Sequence, residues 1–285
     1  MLGAMVAHVL RVEGGIGVLV TARDGRRGAL PFAVEDGREG LESLLAGPGR
    51  SDVVVNGIGV LSAAIRSDDS AAMQRAVLVN AAFPYLLAEV AGASGARVIH
   101  VSTDGVFATN RGLVYEDDRP DSDEPYGQSK HLGECVANHV LNVRCSIVGP
   151  DSVHGRGLVE WVRTREAGSE LIGFTDQVWN GVTTRQLAQL CRRLLDADTF
   201  AAARAEGPVH HFCPNPAVSK HELVRWLGAA LRPDLPVRAT ASGRPLCRLL
   251  ATRFDVLARL VPAPPSLRDE IVGCARMQPD PLPEK

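Results

Sequence analysis

Short apolar runs rich in β-branched residues recur along the N-terminal half of the chain, separated by segments with helical spacing or turn residues. Such runs are typical of strands buried on both faces of a parallel sheet. They predict strands over residues 17–21, 52–55, 97–101 and 142–148, and helices over 4–10, 72–93 and 126–139. Strand and helix in alternation favour an α/β fold with a doubly wound parallel sheet, which binds ligands beyond the carboxyl ends of its strands.

After Pro150 the predicted strands become short and the loops become rich in glycine. The sequence here predicts one short strand and two helices, over 209–212, 183–195 and 220–231. The expected helix caps are Thr183 or Thr184 for the first helix and Ser219 for the second. We therefore divide the chain into a sheet domain, residues 1–150, and a smaller lobe, residues 151–285, that closes over the strand ends. The first of the two helices can rejoin the sheet domain.

Composition and charge narrow the class of protein. The 285 residues include 31 basic and 33 acidic side chains, a balance that argues against a nucleic-acid partner. We find neither an apolar run of about 20 residues, as needed to span a membrane, nor the pattern of a signal peptide. The six cysteines contain no C-x-x-C pair, so we expect buried, reduced thiols. These features predict a soluble, cytoplasmic protein.

One constellation of polar residues carries recognisable chemistry. Tyr126 and Lys130 are four residues apart in a predicted helix and therefore share a face. A phenol beside an ammonium ionises more easily, which makes Tyr126 a candidate proton donor near neutral pH. Thr103 ends the preceding strand and can hold the oxygen that receives the proton. The sequence predicts a proton-transfer site at this strand end.

With these residues the chain resembles the extended short-chain dehydrogenases/reductases, and more narrowly the dTDP-4-dehydrorhamnose reductase branch. The resemblance covers nearly the whole chain. The segments that carry it share the family's motifs, and they lie at residues 79–81, 101–107, 125–134, 144–149, 179–184 and 218–223. It implies a Rossmann-type, dinucleotide-binding first domain and a substrate-binding lobe.

The resemblance also implies roles for individual residues. Tyr126 would protonate the C4 carbonyl oxygen of a nucleotide-linked 4-keto-6-deoxysugar while the nicotinamide delivers hydride. Lys130 would hold the cofactor ribose and lower the pKa of the phenol, and Thr103 would hydrogen-bond the reacting oxygen. Asn80 would steady the strand end below the nicotinamide. One position departs from the family pattern, because Gly105 stands where an aromatic residue usually follows Ser-Thr-Asp.

A dinucleotide-binding fold should open with an apolar strand and a glycine-rich turn. Gly3 resembles the last glycine of that turn, and the strand and the earlier glycines are missing from the sequence. Gly14-Gly15-Ile16-Gly17 is no substitute, because it precedes a strand instead of following one. Either the start codon was placed too far downstream, which we favour, or the protein has lost catalysis and keeps a binding or regulatory fold.

Further cofactor contacts are expected at strand ends. Arg23 follows the first predicted strand, where a cation favours the 2′-phosphate of NADPH over NADH, although a solvated basic loop with Arg26 and Arg27 explains it equally well. The segment Asn56-Gly57-Ile58-Gly59 follows the next strand, and its two glycines would let the cofactor approach the backbone. An ordinary turn is the alternative. We expect NADPH or NADH, with a slight preference for NADPH.

Candidate substrate contacts lie at Asp104, Trp179 and Asn180, each with a structural role as the alternative. Arg156 and Arg163 are candidate partners of the substrate diphosphate. His210 and His211 lack further ligands at metal-binding spacing, and no Gly-x-Ser-x-Gly elbow supports a hydrolase.

We therefore expect a sugar-nucleotide reductase of deoxysugar synthesis for surface polysaccharides. An epimerase or dehydratase of the same fold and a non-catalytic sugar-nucleotide-binding subunit stay open. A homodimer is also open, because apolar helix faces can pack inside the protein or between subunits.

Overall fold

The computed structural model describes residues 1–25, 29–46, 52–151 and 154–279. Its strands are β1 Thr21–Ala22, β2 Leu30–Pro31, β3 Val53–Asn56, β4 Arg97–Thr103, β5 Gly112–Val114, β6 Val140–Cys145, β7 Ile147–Val148, β8 Leu171–Phe174, β9 Gln177–Trp179, β10 Val182–Thr183, β11 Val209–His211, β12 Val218–Ser219, β13 Val237–Thr240 and β14 Leu246–Leu250. Its α-helices are α1 Leu2–His8, α2 Gly37–Ala46, α3 Ser70–Ala76, α4 Phe83–Ser94, α5 Pro125–Leu132, α6 Gly157–Arg163, α7 Thr184–Arg193, α8 Ala197–Glu206, α9 Lys220–Leu231, α10 Val256–Leu260 and α11 Leu267–Arg276.

The main sheet is parallel and has the strand order β11-β6-β4-β3. Its register pairs Asn56 with His100 and Thr103 with Cys145, so neighbouring strands end at the same edge. Helices separate the strands along the chain, because parallel strands need a crossover connection between them. The predicted α/β, Rossmann-type fold is confirmed. The edge formed by these carboxyl ends is where such folds bind ligands.

Two predicted elements differ from the structure. Most of the strand predicted over 17–21 is wrong, because only Thr21–Ala22 is a strand, and it pairs with β2 outside the main sheet. The helix predicted over 126–139 ends at Leu132. Gly133 follows, and a β-carbon there would lie 2.0 Å from the Asn80 carbonyl oxygen. Only glycine fits this close approach, and the chain leaves the helix at this position.

The long helix predicted over 72–93 is observed as α3, a π-helical turn at Val77–Ala82, and α4. Together they span Ser70–Ser94, with a mean hydropathy of 1.5 in the most apolar window, 56% of which is buried inside the protein. The segment is therefore long and apolar enough to cross a membrane by length and composition, contrary to the sequence prediction. A buried core helix passes the same test.

The predicted helix caps of the C-terminal half are confirmed. Thr183 accepts a hydrogen bond from the Gln186 amide and Ser219 accepts one from the Glu222 amide, and each pair forms a capping box. Helix α7 packs on α1 and on the main sheet in one apolar cluster, whereas α9 belongs to a separate cluster and α11 contributes to both. The boundary at residue 150 stays a prediction.

Candidate active site

Strand β4 and helix α5 bring Thr103, Tyr126 and Lys130 together. Tyr126 lies in the first turn of α5 and shares a hydrogen bond with the Thr103 hydroxyl. Lys130 lies one turn later, and its Nζ donates to the Val101 carbonyl of β4 at 2.7 Å. Gly127 allows the close packing, because a β-carbon there would lie 1.9 Å from a carbonyl oxygen of the turn after β4. The three predicted catalytic side chains thus meet at one strand end.

The Lys130 side chain is buried, with 4% of the residue exposed. Burial lowers the pKa of its ammonium from 10.5 to about 8. Its Nζ also lies 3.5 Å from Nε2 of His100, a fully buried residue that the sequence analysis missed. An ammonium has three N–H groups, and the Val101 carbonyl takes one of them.

Burial raises the pKa of Tyr126 above its usual value of 10.0, and the hydrogen bond with Thr103 lowers it less. This direction differs from the sequence prediction. The main reason is burial, which disfavours the charged phenolate, while the ammonium of Lys130 is directed at Val101 and His100. The cation that favours the phenolate is instead Arg248, from the distant strand β14.

Asn80 joins the loop after β3 to helix α5. Its Oδ1 accepts from the Val60 amide at 2.8 Å, and its Nδ2 donates to the Val60 carbonyl at 3.0 Å and to Ser129 Oγ at 3.1 Å. Asn80 therefore steadies the backbone beyond a strand end. In the same loop, a β-carbon on Gly59 would lie 3.4 Å from Asn80 Oδ1, and one on Gly57 would lie 3.5 Å from Leu2.

The other predicted cofactor contacts are more scattered. Asn56 is buried at the end of β3, where its Nδ2 hydrogen-bonds His100 Nδ1 at 3.0 Å. Gly3 lies in α1, and no atom would approach within 4 Å of an added β-carbon. Arg23 is exposed in the turn after β1. Arg26 and Arg27 lie outside the described residues.

A cavity of about 290 Å³ opens at Asp104, the residue that follows Thr103. It is lined by Asp104, Ser146–Val148, Leu158, Gln177–Trp179, Lys220, Leu223, Leu246 and Arg248. Trp179 lines it with its indole nitrogen hydrogen-bonded to Ser146 at 3.0 Å. The amide of Asn180 instead bonds both backbone groups of Leu250, which ties β14 to the loop after β9. The cavity brings Asp104 and Trp179 together but not Asn180.

The two arginines considered for a diphosphate lie away from this cavity. Arg163 is paired with Glu160 at 2.6 Å and donates to the Ala275 carbonyl, while Arg156 is exposed. Lys220 and Arg248 are the cations that the structure places there. Lys220 lies in the motif segment 218–223, whereas no signal in the sequence marks Arg248, which reaches the cavity through packing of segments far apart along the chain.

Behind the site lies a buried ion pair that the sequence analysis also missed. Glu134 accepts hydrogen bonds from Arg144 Nε at 2.8 Å and Nη2 at 2.7 Å, and from Ser102 Oγ at 2.7 Å. Burial alone would raise the pKa of Glu134, but hydrogen bonds from Arg144 and His131 lower it to about 2. This pair fixes the strand that ends at Thr103 against its neighbour β6. Among the residues described, three or more His, Cys, Asp or Glu side chains nowhere gather to hold a metal ion.

The residues at these strand ends fit a nicotinamide cofactor at its ribose end. Lys130 has N–H groups beyond the one used by Val101, and such a donor suits ribose hydroxyls. The glycine at position 57 keeps side-chain volume away from the backbone after β3. Tyr126 and Asn80 border the same region, so the donor set suits a dinucleotide better than a metal.

The chain was compared with protein-family models and with known proteins. A family model described as the RmlD substrate binding domain matches residues 40–243. The chain is 32% identical over 150 residues to the spore coat polysaccharide biosynthesis protein SpsK of Bacillus subtilis strain 168. That match covers 50% of this chain and 51% of SpsK, so the chain spans about half the length of this relative.

Solved structures show the same fold. A dTDP-4-dehydrorhamnose reductase from Yersinia enterocolitica is 20% identical, with a TM-score of 0.68 and coverage of 96% of this chain and 95% of that one. The enzyme of that name from Bacillus anthracis str. Ames, in complex with NADP, is 16% identical, with a TM-score of 0.67 and coverage of 90% and 97%. MoeE5 in complex with UDP-glucose and NAD is 18% identical, with a TM-score of 0.72 and coverage of 96% and 94%.

Proposed function

The chain belongs to the family of the RmlD substrate binding domain, and from this premise we propose that it reduces a nucleotide-linked 4-keto-6-deoxysugar with NADPH or NADH. The observation that carries the proposal is the grouping of Thr103, Tyr126 and Lys130 at the end of β4, beside a cavity of about 290 Å³. A proton donor next to a sugar-sized cavity is what reduction of a ketone requires.

In this proposal the protein positions the carbonyl and supplies its proton. The Thr103 hydroxyl orients the ketone oxygen, and Tyr126 gives that oxygen its phenolic proton. Bound NADPH or NADH would supply the hydride to the carbonyl carbon. Lys130 would hold the ribose with its remaining N–H groups, and Asn80 would keep the loop after β3 in place. Burial of the site excludes water from the proton transfer.

The cavity would hold the rest of the substrate. Trp179 offers an aromatic face for the sugar or its base, and Asp104 offers a carboxyl group for sugar hydroxyls. Lys220 is the cation proposed to pair with the diphosphate. Burial lowers the pKa of Lys220, and its ammonium lies over the Phe174 ring with one contact of 3.5 Å to Gln177.

The product would serve synthesis of a surface polysaccharide, and the name of the relative SpsK supports this pathway. We place the protein in the cytoplasm, where nucleotide sugars are made, and leave a homodimer as a further part of the proposal. An epimerase that keeps its nicotinamide through the cycle is the second candidate. The UDP-glucose 4-epimerase of Thermotoga maritima, which is 17% identical and has a TM-score of 0.70, shares the fold and supports this candidate.

One assay separates these functions. The purified protein is mixed with NADPH and dTDP-4-keto-6-deoxyglucose, and the absorbance of the reduced nicotinamide is followed while the sugars are separated by chromatography. Loss of absorbance with a reduced sugar supports the reductase. A changed sugar without net oxidation supports the epimerase, and binding without turnover supports a non-catalytic subunit. If the protein neither binds nor converts the nucleotide sugar, the proposal is wrong.

A further inference from the structure

Gly105 leaves room for a guanidinium beside the proposed proton donor. A β-carbon at Gly105 would lie 3.2 Å from Thr103 Oγ1, 3.2 Å from Tyr126 Cε1 and 3.3 Å from Arg248 Nη1. The guanidinium of Arg248, the Thr103 hydroxyl and the Tyr126 ring therefore surround one small volume. A β-carbon at position 105 would require these neighbours to move by a few tenths of an ångström.

The charge of Arg248 is not neutralised by an ion pair within the described part of the chain. The Nη2 of Arg248 donates to the Thr109 hydroxyl at 3.2 Å, and its Nε is buried without a hydrogen-bond partner. Asp104 interacts electrostatically with it, and burial raises the pKa of that carboxyl more than Arg248 lowers it. A cation that is half-buried and poorly compensated acts strongly on neighbouring groups.

The groups around the Tyr126 phenol come from three elements. Thr103 ends β4 and Asp104 follows it, Cys145 ends β6, and Arg248 belongs to β14. Burial raises the pKa of the Cys145 thiol, so this group stays neutral. A charge on Asp104 would oppose ionisation of the phenol. Arg248 is the cation on this side of the ring, since Lys130 is turned toward Val101 and His100.

We infer that Arg248 is a positioning residue of the proposed reaction, which supplies the positive charge that helps Tyr126 release its proton to the substrate. The inference rests on the proposed function for its catalytic meaning, although the electrostatic effect can be measured without turnover. Arg248 thereby takes a role that the motif Tyr-x-x-x-Lys alone would give to Lys130. Gly105 makes the role possible by leaving the guanidinium its space.

The test uses the small number of tyrosines in the chain, which are Tyr85, Tyr115 and Tyr126. All three are replaced biosynthetically by 3-fluorotyrosine, which lowers the pKa of every phenol and brings the titration into the pH range of the folded protein. The fluorine resonance missing in Tyr126→Phe identifies position 126. Its titration midpoint is then compared in the wild type, Arg248→Gln, Arg248→Lys and the exposed control Arg268→Gln.

We expect Arg248→Gln to raise the midpoint of Tyr126 by about one pH unit. Arg248→Lys should restore most of the shift, and Arg268→Gln should leave the midpoint unchanged. Near-UV circular dichroism at each pH confirms that the variants are folded. An unchanged midpoint in Arg248→Gln, or one that Arg248→Lys fails to restore, would overturn the inference.

The same variants distinguish this inference from the proposed function. If the midpoint shifts and the reductase assay shows no turnover, the electrostatic role stands and the proposed function falls. If turnover is present and the midpoint does not move, only the role of Arg248 falls. If the midpoint shifts and turnover is present, the pH profile of kcat should move in the same direction as the titration midpoint.

Discussion

His100 Nε2 lies 3.5 Å from Lys130 Nζ, and both residues are buried with at most 4% exposed. The other ring nitrogen, Nδ1, accepts from Asn56 Nδ2 at 3.0 Å, because Asn56 Oδ1 already accepts from the Ile58 amide. The proton of the neutral imidazole therefore sits on Nε2 and faces the amine. Burial, followed by the charge of Lys130, holds the pKa of His100 well below 6.5. This geometry disfavours an additional proton on Lys130.

The depressed pKa of Lys130 predicts a stability that rises at alkaline pH. The folded-state pKa of about 8 lies below the ordinary 10.5, so between these values the unfolded chain binds a proton that the folded chain has released. The free energy of unfolding should then rise with pH across this window, by an amount on the order of 3 kcal/mol. Urea unfolding of the wild type and Lys130→Met from pH 7 to pH 10 measures it. A difference between them that stays constant across this range would contradict the prediction.

The buried pair of Glu134 and Arg144 predicts a dependence of the same sign in acid, where stability also rises with pH. The pKa of Glu134 is about 2 against an ordinary 4.5, so its contribution is fully present above pH 4.5 and is lost as the pH falls toward 2. Glu134→Gln leaves the Arg144 charge buried and should lower the free energy of unfolding by about 3–5 kcal/mol at pH 7.

The control for this pair is Glu124→Gln, an exposed position before helix α5. It should change stability by less than about 0.5 kcal/mol. Chemical unfolding of both variants from pH 7 to pH 3 checks the prediction. If the cost of Glu134→Gln does not shrink toward pH 3, the linkage to this carboxylate is wrong.

Local signals in the sequence predicted much of the fold and the centre of the site. The capped helices α7 and α9 and the strand that ends at Thr103 depend on neighbouring residues, and the structure confirms all three. The pair Tyr126 and Lys130 was likewise placed on one helix by spacing alone.

The features that the sequence could not predict depend on distant contacts. Helix α5 ends at Leu132 because Gly133 packs against the carbonyl of Asn80, more than fifty positions earlier. Arg248 lies near Tyr126 because β14 pairs with β5. No local pattern in the sequence predicts this pairing. The predicted direction of the Tyr126 pKa was wrong because burial of the phenol, which depends on tertiary packing, outweighs the groups that favour the phenolate.

Two glycines inside helices offer a matched comparison. An added β-carbon at Gly273 of α11 meets no atom within 4 Å, whereas one at Gly228 of α9 would lie 2.9 Å from Leu171 Cδ1 and 3.1 Å from Val237 Cγ2. Gly273→Ala should stabilise the protein by about 0.5–1 kcal/mol through helix propensity. Gly228→Ala makes the same gain but overpacks the core, and should be destabilising by up to about 2 kcal/mol. Thermal and urea unfolding measure both; two changes of equal sign and size would contradict the packing of α9 on β8 and β13.

The strongest prediction for activity concerns the phenol of Tyr126. Tyr126→Phe keeps the ring and removes only the proton that the proposed reaction needs, so the rate of reduction should fall by about 10²–10⁴-fold. Affinity for the nucleotide sugar should change little, because the cavity is lined by other residues. Tyr85→Phe, on a surface where Tyr85 is 51% exposed, is the matched control and should keep full activity.

Kinetics and calorimetry together decide the role of this residue. A selective loss of kcat in Tyr126→Phe, with sugar binding and unfolding midpoint preserved, identifies the phenol as the proton donor. A variant that keeps its rate would instead show that another group delivers the proton, and Thr103, whose hydroxyl bonds the same phenol, would be the next residue to change. A loss of binding equal to the loss of rate would assign Tyr126 to substrate positioning, because a general acid acts in the transition state and contributes little to the ground-state complex.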